Sequence, residues 1–119
     1  MNVQAKAARI SIEAVRGLID DSMRKAGVPD ADAAKIAELM LEADLIGADA
    51  HGVFRLPQYV QRLKLGSTNP RPSIKVERTA PATALVHGDN GMGHLVVSRA
   101  AETAVELARE CGVAWVGCN

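Results

Sequence analysis

The hydrophobic spacing of this chain changes period across Ser67-Thr68-Asn69-Pro70-Arg71-Pro72. Upstream, apolar residues recur at steps of three and four, which line up along one face of an α-helix. Downstream, Ile74 and Val76 alternate with Lys75 and Glu77, the two-residue period of a half-buried strand. Helices first and a sheet segment after them restrict the chain to an α+β or mixed α/β architecture. The expected order is a three-helix subdomain followed by the opening β-β-α-β elements of a sheet domain. At 119 residues the chain can hold one ordinary domain, or a small domain and the start of another.

In the helical part, Ile12, Val15, Leu18, Ile19, Met23 and Ala26 predict a first helix capped by Ser11 and stopped by Gly27 ahead of Pro29. Asp30 or Asp32 is expected to cap a second helix with Ala33, Ile36, Leu39, Met40 and Ala43 inward, closed by Gly47. The short loop between them favours antiparallel packing. A third helix should start near Ala50–Gly52 and run to about Leu65, stopped by Gly66, with Val53, Leu56, Val60 and Leu63 buried. Pro57 falls inside it and should bend the first turns, exposing the side chains that precede it. The domain reading is therefore a flexible N-terminus over 1–10, a helical subdomain over 11–66, a linker over 67–72 and the start of a sheet domain over 73–119.

In that last part Ile74–Glu77 and Ala84–Val86 read as strands joined by a turn at Thr79–Pro81. Gly88–Gly93 turns the chain into a helix over Leu95–Cys111, with Leu95, Ala101, Val105 and Ala108 inward. Gly112 stops it, and Val113–Val116 is a final strand. The resulting sheet is incomplete and leaves an unpaired edge.

Composition narrows the function classes. The chain is 48% apolar and 24% charged, the balance of a soluble globular protein. Fourteen basic residues offset fourteen acidic ones, so it carries no electrostatic footprint for nucleic acid or an anionic membrane. Aromatic residues at 3% leave no stacking platform for single strands. No apolar run approaches the roughly 20 residues that span a bilayer. Met1–Arg9 lacks a following apolar stretch of the kind a secretory signal needs. Cys111 and Cys118 fit no metal or redox spacing and read as buried thiols in a reducing, cytoplasmic setting.

The chemistry concentrates in Gly47-Ala48-Asp49-Ala50-His51-Gly52-Val53-Phe54-Arg55-Leu56-Pro57-Gln58-Tyr59. In a continuous helix His51, Arg55 and Tyr59 would share one face. Arginine can clamp a carboxylate through two parallel charge-assisted hydrogen bonds. Histidine, with an ordinary pKa near 6.5, can give a proton to the alkoxide formed when hydride adds to a neighbouring carbonyl. Reduction of a small 2-oxo acid requires both groups. The competing reading makes His51 part of a helix cap and Arg55 a solvated charge.

Gly88-Asp89-Asn90-Gly91-Met92-Gly93 sits between a strand and a helix, as nucleotide-binding turns do, but Asn90 breaks the G-x-G-x-x-G pattern and it is no P-loop. It is either an anion-holding helix start or a tight turn that needs glycine. His87, Asp89 and His94 around it lack the spacing of metal ligands, so no metal is expected.

The run Ala43-Asp44-Leu45-Ile46-Gly47 followed by the histidine segment through Tyr59 resembles the signature of the malate/L-lactate dehydrogenase family. Sulfolactate and ureidoglycolate dehydrogenases and cyclic-imine reductases belong to the same family. The similarity continues through Asn69-Pro70, the Gly88–Gly93 turn and Gly112-Val113-Ala114. It implies a non-Rossmann, NAD- or NADP-binding sheet domain, and hydride transfer between that cofactor and a small 2-hydroxy or 2-oxo acid, usually in a homodimer. By motif position His51 would be the acid/base, Arg55 would engage the substrate, and Tyr59 would line the same pocket. Many relatives carry Ser or Thr where this chain has Ala50, and Arg where it has Ile46.

The resemblance also implies an N-terminal portion, inactive alone, with most cofactor-binding residues beyond Asn119. A chain that ended there would read instead as a non-catalytic dimerisation or partner-binding module, working through its sheet edge and apolar helix faces.

Overall fold

A computed structural model describes residues 8–119. Of the expected flexible N-terminus, residues 1–7 lie outside the described residues, while 8–10 are exposed and irregular. Helix α1 (Ile12–Lys25) starts where the Ser11 side chain accepts a hydrogen bond from the Ala14 N–H at 3.1 Å, satisfying an otherwise unpaired amide of the first turn. Helix α2 (Asp30–Leu45) follows Pro29, and no side chain caps it. Asp30 and Asp32 are not its caps. They lie in its first turn, where their charge still complements the positive end of the helix dipole.

Helix α2 closes at Gly47 in a left-handed conformation, φ 82°, which costs glycine nothing. The Gly47 and Ala48 N–H groups then reach back to the carbonyls of Asp44 and Ala43 at 3.1 and 2.8 Å, a Schellman closure. Helices α1 and α3 end the same way, at Gly27 and Gly66.

The third helix differs from expectation. Two short 3-10 turns, Asp49–His51 and Val53–Arg55, precede α3, which spans only Leu56–Lys64. Gly52 is extended between those turns, so the helical ladder cannot run through it. Pro57 belongs to the first turn of α3, where its missing N–H costs no bond. It marks a helix start rather than a bend inside a helix.

Strand β1 (Lys75–Ala80) pairs antiparallel with β2 (Thr83–His87), and Val76 faces Val86 across the pair. The turn lies at Pro81-Ala82, later than expected, and β1 runs on to Ala80. Helix α4 (Gly93–Cys111) carries the chain over to β3 (Trp115–Cys118), which pairs parallel with β2 to give the order β1-β2-β3. The fold is thus α+β, with three helices followed by β-β-α-β.

One apolar cluster joins Ile19, Met23, Ile36 and Met40 of α1 and α2 to Leu56 and Leu63 of α3, and Met92 and Leu95 complete it from the far side of the chain. A smaller cluster of Val86, Val96 and Ala100 lies under the sheet, and Ile74 packs against both. Helix α4 buries Leu95, Val96, Ala100, Thr103 and Leu107. Ala101 and Val105, expected inward, face outward, as do Ile12 and Leu18 of α1. Cys111 and Cys118 are exposed rather than buried: Cys111 lies at the C-terminal end of α4, its thiol against the Pro81 carbonyl at 3.3 Å, and Cys118 ends the edge strand β3.

Residues 67–73 are tied down at several points. The Asn69 N–H donates to the Asn90 carbonyl at 2.8 Å, and the Asp89 carboxylate accepts from the Ser73 N–H at 2.8 Å and the Asn69 amide at 3.0 Å. Asn90 in turn donates to the Ser67 carbonyl at 3.0 Å.

Candidate functional site

The histidine segment is built from its ends inward. The Gly47 closure turns the chain back on α2, and the His51 N–H donates to the Ala48 carbonyl at 2.8 Å to form the first short turn. The Asp44 carboxylate, in the last turn of α2, accepts from the Val53 N–H at 2.9 Å. Gly52 is buried directly against that carboxylate, and a Cβ there would overlap it. Arg55 is partly buried; its Nε donates to the Ala50 carbonyl at 2.8 Å and its Nη1 to Gln58 at 2.9 Å.

The shared helical face of His51, Arg55 and Tyr59 does not exist, because Gly52 and the two short turns separate His51 from α3. His51 is exposed and caps no helix. Arg55 is no freely solvated charge either. It reaches the carbonyl of the residue before His51, which brings its guanidinium back to the histidine turn. Of its five N–H donors two are engaged, leaving three for a ligand.

Tyr59 turns elsewhere. Its ring meets His94 edge to face, with centroids 5.4 Å apart. The two line a cavity of about 630 Å³ with Arg62, Thr68, Asn90 and Met92, and neither His51 nor Arg55 is among its walls. Burial pushes the pKa of His94 below the ordinary value, and its Nδ1 has no hydrogen-bond partner among the described residues.

In the Gly88–Gly93 turn a Cβ on Gly91 would sit 2.7 Å from Pro72, and one on Gly88 would sit 2.5 Å from the Asn119 carbonyl. Close packing thus requires glycine at both positions, while Gly91 and Gly93 also line the cavity beside Tyr59 and His94. Among the described residues no group of three or more His, Cys, Asp or Glu is placed to hold a metal ion, and no helix is long and apolar enough to cross a membrane.

Asp44 anchors this segment without belonging to any side-chain pattern in the sequence. Its one local signal is an acidic side chain near a helix C-terminus, where the dipole disfavours negative charge unless another group compensates.

The malate/L-lactate dehydrogenase family model matches residues 10–119. The chain belongs to that family. It is 46% identical over 99 residues to the L-sulfolactate dehydrogenase of Methanocaldococcus jannaschii, covering 83% of this chain and 29% of that relative. It is 36% identical over 111 residues to the ureidoglycolate dehydrogenase (NAD(+)) of Escherichia coli, covering 93% of this chain and 32% of the relative. The malate dehydrogenase structure from Pyrococcus horikoshii superposes with a TM-score of 0.89 at 34% identity, over 100% of this chain and 35% of that one. The chain thus spans about a third of the length of the dehydrogenases it matches.

Proposed function

We propose that this chain carries the proton-transfer and carboxylate-recognition wall of an NAD(P)-dependent oxidoreductase acting on small 2-hydroxy and 2-oxo acids, assembled as a homodimer. The observation that carries this reading is His51. It is exposed, caps nothing, and sits on a turn whose backbone is bonded from both sides. A histidine with no structural employment on a fixed turn is available for chemistry. Membership of a dehydrogenase family supplies the reaction class.

In this reading His51 exchanges a proton with the C2 oxygen of the acid, as its base during oxidation and its acid during reduction. Arg55 presents its unengaged N–H groups to the substrate carboxylate, while its bond to the Ala50 carbonyl ties the guanidinium to the histidine turn. The role of Tyr59 is at the wall of the neighbouring cavity, against His94. The cofactor is NAD or NADP; the chain spans about a third of the length of the dehydrogenases it matches, and most of the cofactor contacts belong to the other two-thirds.

The homodimer is supported by large apolar side chains left in the open, including Ile46 and Phe54 near the histidine turn and Trp115 on the edge strand. The alternative of a non-catalytic binding module draws on the same surfaces. Assay of the full-length gene product with oxaloacetate, pyruvate and 3-sulfopyruvate, each with NADH and NADPH, and with ureidoglycolate and NAD or NADP, separates the two. Turnover with at least one pair is the expected result, and its absence across the whole panel would favour the binding module.

A further inference from the structure

Nothing in the described residues holds the His51 side chain itself, so its location depends on the backbone that carries it. That backbone is fixed at three points: the Gly47 closure, the Arg55 bond to the Ala50 carbonyl, and the Asp44 bond to the Val53 N–H. The third is the most demanding. Asp44 lies in the last turn of α2, the end of a helix where a carboxylate is least favourable, and it makes no ion pair among the described residues. The buried Gly52 backbone lies so close to that carboxylate that a Cβ there would have to displace it. Removing the carboxylate would free the chain on the C-terminal side of His51, and with it the direction in which the imidazole is presented.

We propose that Asp44 is a positioning residue for proton transfer at His51, its carboxylate clamping Gly52 and Val53 so that the preceding turn presents the imidazole in one place. This rests on the acid/base reading of His51. It assigns Asp44 no contact with the substrate.

The test uses the full-length gene product, assayed with oxaloacetate and pyruvate and with NADH or NADPH. Asp44→Ala should lower kcat about 100-fold, the cost of misplacing a reacting group by about 1 Å, while KM stays within about threefold. Asp44→Asn, which keeps an oxygen to accept the Val53 N–H, should recover to within about tenfold of the parent. Gly52→Ala, which must push the carboxylate aside, should show the same loss of kcat. The double variant Asp44→Ala/Gly52→Ala should be no worse than Gly52→Ala alone, because both changes act through one contact. The Val53 amide proton resonance should move upfield in Asp44→Ala and stay in place in Asp44→Asn.

His51→Ala is the control. If it abolishes turnover while Asp44→Ala keeps the parent kcat, the positioning role is overturned and the acid/base reading stands. If His51→Ala keeps turnover, the acid/base reading falls and takes the positioning role with it. Should Asp44→Ala not fold, Asp44→Asn and Gly52→Ala carry the same test.

Discussion

Two glycine-bearing breaks, Gly47–Gly52 and Gly88–Gly93, look alike in sequence and do opposite things in the fold. In the first, Gly52 makes room for a carboxylate, Asp44, and the side chain of its neighbour His51 is left free and exposed. In the second, Gly88 and Gly91 make room for the Asn119 carbonyl and Pro72, and the side chains of Asp89 and Asn90 are spent on the 67–73 segment. A glycine-rich turn is therefore read by what occupies the space a Cβ would take. Where that is a polar group anchoring a short turn, a neighbouring side chain can be presented for chemistry. Where it is packing, the turn is architecture.

The largest effect that could break this contrast is at the first turn. His51→Ala should lower kcat by about 10²–10⁴-fold, the usual contribution of a general acid/base. Its melting temperature should hardly move, because an exposed substitution away from caps and core changes stability by no more than about 0.5 kcal/mol. Steady-state kinetics beside a thermal melt check both halves.

Arg55→Lys comes next. A lysine cannot reproduce a planar fork, so KM for the 2-oxo acid should rise about tenfold or more. An unchanged KM would remove Arg55 from carboxylate recognition.

At the second turn the effect should be on stability. Gly91→Ala forces a methyl to within 2.7 Å of Pro72 and should cost about 1–3 kcal/mol, leaving kcat per folded molecule unaltered.

The smallest effect is one of pH. Burial lowers the pKa of His94, so the folded chain resists protonation that the unfolded chain accepts at about 6.5. Its contribution to stability is present above that pH and is lost as the pH falls toward the depressed folded value. The melting temperature should therefore fall more steeply between pH 7.5 and 5.5 in the parent than in His94→Asn; parallel profiles would show that His94 is not the group responsible.

The parts of the fold legible in the sequence are those written in local chemistry. Ser11 caps its helix through its own hydroxyl, and the four glycines that close helices do so by conformational freedom alone. The order of elements followed from the period change, since helices and strands bury every third-or-fourth and every second residue respectively. What was not legible needed partners from far along the chain. The phase of α4 was ambiguous because Ala100, Ala101, Ala104 and Ala108 offer little contrast around the helix, and only contact with the sheet shows which alanines turn inward.

At the site, His51 and Arg55 stand out as residue types, but the rule that residues four apart share a face presumes an unbroken helix. Gly52 and Pro57 end that presumption. Asp44 was invisible because its partner is a backbone N–H nine residues on, which no side-chain pattern announces. His94 drew notice only as a metal ligand it has no companions to make, and its burial beside Tyr59 comes entirely from tertiary packing.

The most direct measurement is kcat per folded molecule for His51→Ala and Gly91→Ala, made side by side on the full-length protein with the same 2-oxo acid and cofactor. A fall of at least about 100-fold in the first and a change of less than about twofold in the second is the predicted result. Parent-like turnover in His51→Ala, or a comparable loss in Gly91→Ala after correction for the folded fraction, would contradict the division of labour between the two turns.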